Sequence, residues 1–88
     1  MKIRNGFILR EIADNIIVVP TGDLVNDFNQ MITLNNTGKF IWELLQNDIK
    51  LEEIAEKLSE KYNIDIEKAK IDSENFVNKL KNAKVIEE

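Results

Sequence analysis

Two runs near the start of the chain are built from β-forming residues. Phe7 to Ala13 and Ile16 to Val19 are rich in aromatic and β-branched side chains, and the Asp14-Asn15 pair between them tolerates the positive φ of a tight hairpin turn. Two antiparallel strands are predicted. Pro20 and Gly22 end the second, because proline cannot donate to a ladder and glycine opens a turn. In the segment 21–30 the apolar residues are Leu24, Val25 and Phe28, and Asn29-Gln30 can turn the chain back into a third extended run, Met31-Ile32-Thr33-Leu34. Beyond Leu34 the apolar period changes from two to that of a helix.

Asn35 carries a side-chain oxygen able to accept from an unpaired N–H of a first helical turn, so it is the expected N-cap. Gly38 then falls at the third helical position, an unfavourable place for glycine unless its backbone lies close to another element. Phe40, Ile41, Leu44 and Leu45 recur on one helical face. Trp42 lies off that face, either as an anchor for a partner or packed against the sheet or the next helix. The second reading is preferred, since a domain this small seldom leaves its only tryptophan wet.

Leu51, Ile54, Ala55, Leu58 and Tyr62 mark a second helix, with acidic residues biased toward its start. Asn63-Ile64-Asp65 breaks it. Asp65 can cap a third helix whose stripe is Ile66, Ala69, Ser73, Phe76, Val77 and Leu80, and Val85-Ile86 return as a short apolar contact. The order predicts an α+β fold: an N-terminal three- to four-stranded antiparallel sheet followed by three helices, winged helix-turn-helix-like in outline.

Composition narrows the chemistry. Eighty-eight residues are expected to form a single domain, 1–88, in which nearly all of the 43% hydrophobic content is needed for one core. With neither cysteine nor histidine, disulfides, zinc sites and histidine-based acid–base or nucleophilic catalysis are all excluded. Glu52, Glu53, Glu56 and Glu60 are spaced to approach one another on the second helix, but nothing around them raises a pKa or orders a metal. No catalytic residue, metal site or cofactor is assigned. The opening MKIRNGFILREIADN is interrupted by charge before any run long enough to span a membrane, so no membrane partner and a cytoplasmic location are expected.

Two features invite a binding role, each beside a plainer reading. Ile71 points away from the Phe76–Leu80 stripe; it is either an ordinary exposed isoleucine or part of an apolar docking surface. Lys68, Asp72, Asn75 and Lys79 flank it as a solvated face or as donors and acceptors for a ligand. Met31, Ile32, Thr33 and Leu34 form either a core strand or an edge on which an extended peptide adds as a further strand.

The block LNNTGKFIWELL at Leu34 to Leu45, with its LN-x-T-G-x-x-I-W-x-L-L spacing, and the A-x-x-D-x-x-x-F-V-x-x-L spacing at Ala69 to Leu80 resemble the PqqD-like family, small recognition elements in ribosomal peptide modification. The resemblance runs from about Phe7 to Ile86 and includes VVPTG and DFNQMITLN in the strand region. Asn36 stands where an acidic residue is common and Gln30 where glycine is common; these departures touch a cap and a turn. The family binds and does not catalyse, so neither removes a chemical group it relies on. The resemblance implies that the leader segment of a precursor peptide lies between Met31–Leu34 and the third helix near Lys68, Ile71, Asp72, Asn75 and Lys79. It also implies a partner maturation enzyme, in similar systems often a radical SAM enzyme that carries its own S-adenosylmethionine and iron–sulfur cluster.

A monomer or weak dimer is expected. The competing reading is a DNA-binding winged helix, since fold alone does not fix function. Charge opposes it: Lys68, Lys70, Lys79, Lys81 and Lys84 are interleaved with Asp65, Glu67, Asp72 and Glu74, and the net charge is −4, which leaves no electropositive recognition face. No nucleic-acid partner is expected.

Overall fold

The hairpin forms, but its turn is placed one residue earlier than the sequence suggests. A computed structural model describes residues 1–22, 24–27 and 32–87, with only the backbone of Asp27. Strand β1 spans Lys2–Ile3, β2 Phe7–Ile12 and β3 Asn15–Pro20. β2 and β3 pair antiparallel from Phe7 with Pro20 to Ile12 with Asn15, so Ala13-Asp14 makes the turn. Ala13 takes φ 55°, a left-handed conformation that a Cβ disfavours. A four-residue helix α1, Leu24–Asp27, follows, and β4, Ile32–Leu34, pairs antiparallel with β3. The second hairpin expected at Asn29-Gln30 lies outside the described residues.

Three helices then run α2 Asn36–Leu44, α3 Leu51–Tyr62 and α4 Ile66–Asn82. Asn35 caps α2 as expected, its Oδ1 accepting from the Gly38 N–H at 2.8 Å. The glycine has a reason to be there: a Cβ at position 38 would lie 3.0 Å from Cε1 of Phe76 and 3.3 Å from Cβ of Leu34. Its absence lets α2 settle against α4 and β4. Asn63 ends α3 in the left-handed region with φ 52°, a conformation asparagine accepts more readily than most residues. Asp65 stands at the start of α4 without a side-chain cap bond; the Ala69 N–H donates to its backbone carbonyl at 2.9 Å.

One core joins sheet and helices: Val18, Ile32 and Leu34 meet Ile41, Trp42, Leu45, Ile54, Leu58, Val77 and Leu80. Trp42 is 3% exposed, which settles it as a packing residue. The expected α2 face is therefore split. Ile41 and Leu45 are buried, whereas Phe40 and Leu44 are only partly covered, with Phe40 meeting Tyr62 edge-on at a centroid distance of 6.0 Å. On α4, Ala69, Ser73, Val77 and Leu80 are buried and Phe76 partly so, but Ile66 in the first turn is 39% exposed, outside the stripe it was expected to join.

The chain ends add a second small sheet. β5, Ile86–Glu87, pairs antiparallel with β1, and α4 ends in a Schellman arrangement, with Val85 N–H donating to Leu80 O and Lys84 N–H to Lys81 O, each at 3.0 Å. Ile3 N–H reaches Leu45 O at 2.9 Å and Arg4 N–H reaches Val85 O at 2.8 Å. The fold is thus α+β, with a three-stranded sheet ordered β2-β3-β4; winged helix-turn-helix describes it only loosely.

Candidate functional site

β4 is an edge, because β3 is its neighbour on one side and no described strand lies on the other. Which of its backbone groups face the open side follows from ladder alternation. Thr21 N–H donates to Gly6 O at 2.7 Å just beyond the Phe7–Pro20 pair, so Val19 and Ile17 direct their groups at β2, while Val18 and Ile16 direct theirs at β4. Their partners Ile32 and Leu34 are accordingly bonded inward. Thr33, opposite Ile17, turns its N–H and C=O to the open edge, with no partner for either among the described residues.

Side chains alternate in the same register. Ile32 and Leu34 are 5% and 6% exposed and face the core, whereas Thr33 lies exposed on the outer face of the sheet. Across the open edge stands α4, and two grooves run along it, one toward β4 and one toward the start of α2. The larger, about 480 Å³, is bounded by Ile32 and Ala83 below and by Asn75, Asn78, Lys79 and Asn82 along α4. The smaller, about 290 Å³, has Gly38, Ile41 and Phe76 as its floor and Asn35, Thr37, Asp72 and Asn75 at its rim. Asn75 borders both.

The expected site residues distribute as follows. Thr33 presents the free backbone, and Ile32 contributes to a groove floor, while Leu34 is a core residue behind the edge. Asn75 and Lys79 line the larger groove and Asp72 the smaller. Lys68 and Asp72 are bonded to each other, Nζ to Oδ2 at 3.1 Å, so in this state they neutralise one another one turn apart. Ile71 is 59% exposed and lines neither groove. Met31 lies outside the described residues.

Sequence reading passed over Asn78, Asn82, Thr37 and Phe76. A signal for the asparagines was present, since 75, 78, 79 and 82 recur at i, i+3, i+4 and i+7, one polar stripe on one helix; only the placement of β4 opposite makes it a groove wall. Away from the grooves, Lys39 Nζ on α2 bonds Glu11 Oε1 on β2 at 2.5 Å. That hydrogen bond, with the attraction of the Glu11 charge, raises the Lys39 pKa above its ordinary value.

The arrangement can add a strand and grip its side chains. The chain has no cysteine or histidine, and among the described residues no group of three or more acidic side chains is placed to hold a metal ion. Among the described residues no helix is long and apolar enough to cross a membrane.

Comparison with known proteins yields a family and a fold. The family model described as coenzyme PQQ synthesis protein D (PqqD) matches residues 9–86. No curated protein matches. A solved chain described as "TbiB1 in Complex with the TbiA(beta) Leader Peptide" is similar, with a TM-score of 0.77 and 24% sequence identity over 99% of this chain and 95% of that one. At that identity the likeness establishes a shared fold.

Proposed function

The chain belongs to the PqqD family, and from that premise we propose that it binds the leader segment of a ribosomally made precursor peptide and presents the precursor to a maturation enzyme. The observation that carries this is the open edge of β4, where the unpartnered Thr33 N–H and C=O face a groove walled by α4. An extended peptide laid there pairs with Thr33 as an added strand and places alternate side chains against Asn75 and Lys79. The similarly folded TbiB1 is solved with a leader peptide, which supports the same class of ligand here.

The work done is thermodynamic. Holding the leader raises the effective concentration of the attached core segment at the enzyme. The enzyme is a radical SAM protein that brings its own cofactors; the 88-residue chain acts as one recognition domain, monomeric or weakly dimeric, in the cytoplasm, without a cofactor or catalytic residue of its own. Met31, Ile32, Thr33 and Leu34 supply the strand, and Lys68, Ile71, Asp72, Asn75 and Lys79 the helical wall.

An amide-shift titration with the precursor encoded beside this chain's gene tests the reading. Shifts are expected at Thr33, Asn75 and Lys79, with little change along Leu51–Tyr62. Shifts confined to that helix would place the binding face elsewhere.

A further inference from the structure

The two grooves differ in chemistry, and their spacing along α4 matches the same-face repeat of a strand. Their α4 residues span 75–82 and 72–76, so the midpoints lie about 4.5 residues apart, roughly 7 Å at the helical rise. Residues i and i+2 of a β-strand lie about 6.6 to 6.8 Å apart on one face. In an antiparallel pairing, the peptide residue opposite Thr33 points its side chain outward with Thr33. Its two neighbours oppose Ile32 and Leu34 and point toward α4. One enters the larger groove beside Ile32; the other enters the smaller groove beside Leu34 and Gly38.

In the larger groove Lys79 has no carboxylate partner among the described residues, and the amides of Asn75, Asn78 and Asn82 make no hydrogen bond there either. No acidic residue lines it. A cation beside several free amide donors favours a carboxylate. In the smaller groove two groups of the polar rim are already engaged, Asp72 by Lys68 and the Asn35 side chain by the Gly38 N–H. Its floor is Phe76, Ile41 and the bare backbone of Gly38, which an aliphatic side chain covers, and no cation lines this groove to hold an acid.

Resting on the leader-binding reading above, we propose that this chain selects leaders by a pair of side chains two positions apart, one acidic for the Lys79 groove and one aliphatic for the Phe76 groove.

The test is to pan a phage-displayed library of random short peptides on the immobilised full chain and on two variants, Lys79→Glu and Thr33→Pro. The expected wild-type selection carries Asp or Glu two positions from Leu, Ile, Val or Met. A synthetic peptide from that pool should lose about two- to fivefold in affinity when its acid becomes the amide, the size of a partly exposed ion pair. Lys79→Glu should select Lys or Arg at the same position and keep the aliphatic residue. Peptides that fail to bind Thr33→Pro but show no acidic preference, or an unchanged selection on Lys79→Glu, would overturn the proposal while leaving strand addition standing. If binding peptides do not depend on Thr33, or none are recovered, both fall.

Discussion

Replacing Thr33 by proline separates strand addition from every other way a peptide could lie on this surface. The Thr33 N–H points away from β3, so removing it leaves the Ile32 and Leu34 bonds to β3 intact, and proline is tolerated on an edge strand for that reason. The incoming strand loses one N–H donor and is left with a carbonyl facing a pyrrolidine ring. A net hydrogen bond contributes about 1 kcal/mol and an unsatisfied buried acceptor costs about 1 to 3, so the expected loss is about 2 to 4 kcal/mol. That is a roughly 30- to 900-fold weaker Kd. Calorimetric titration with the precursor leader reads it directly, and Thr33→Val, which keeps the backbone group and the β-branched shape, should bind as wild type does. The fluorescence of Trp42, buried in the core, reports whether each variant is folded. A folded Thr33→Pro that binds within about threefold of wild type, well short of the loss of a backbone hydrogen bond, would show that the leader does not pair with β4.

Three other outcomes follow from particular residues. Ser73 is fully buried in α4 and its hydroxyl has no hydrogen-bond partner among the described residues, so Ser73→Ala should raise stability by about 1 kcal/mol or more in urea unfolding; a loss would mean that the hydroxyl is bonded in solution. Ala13→Gly relieves the left-handed alanine at the hairpin turn and should gain about 0.5 to 1 kcal/mol after the entropy of the unfolded glycine is subtracted, with no change in peptide affinity. Ile71→Asp lies at an exposed position and should leave the unfolding midpoint unchanged while weakening leader binding by about 1 to 2 kcal/mol; wild-type affinity would remove Ile71 from the contact surface.

The parts of this fold that were legible in the sequence are those fixed by local chemistry. The Asn35 cap, the close approach that requires Gly38, and the break at Asn63 each rest on a conformational preference of one residue type, and the LN-x-T-G block pointed to the family that matches residues 9–86. Tertiary choices were not legible. β1 and β5 are two residues each, too short for a period to show, and they pair ends of the chain that no local signal connects. In α2, Phe40, Ile41, Trp42, Leu44 and Leu45 are apolar almost all round, so periodicity could not decide that Trp42 goes inward while Phe40 meets Tyr62. The groove asparagines of α4 read as a solvated face because their meaning comes from β4, far away in sequence.

An open edge strand is a hazard as well as a site, since unpaired backbone recruits other chains without discrimination. Here the hazard is kept small. β4 is three residues long, and among the described residues of this strand only Thr33 turns its backbone outward, so pairing with it gains about two backbone hydrogen bonds, roughly 1 to 3 kcal/mol net. That is too little to offset the entropy of association, which is at least about 4 kcal/mol. Stable binding must therefore also engage the wall of α4. That wall is held at its C-terminal end by the Schellman turn at Lys84 and by the β1–β5 sheet, which ties Val85 and Ile86 to Ile3 and Arg4. A helix fixed in this way holds the backbone of Asn75, Lys79 and Asn82 in one arrangement before the ligand arrives, so only their side chains remain to be ordered on binding. In the proposed binding mode backbone pairing supplies the register and α4 the choice, so a peptide that satisfies only one of them should leave quickly.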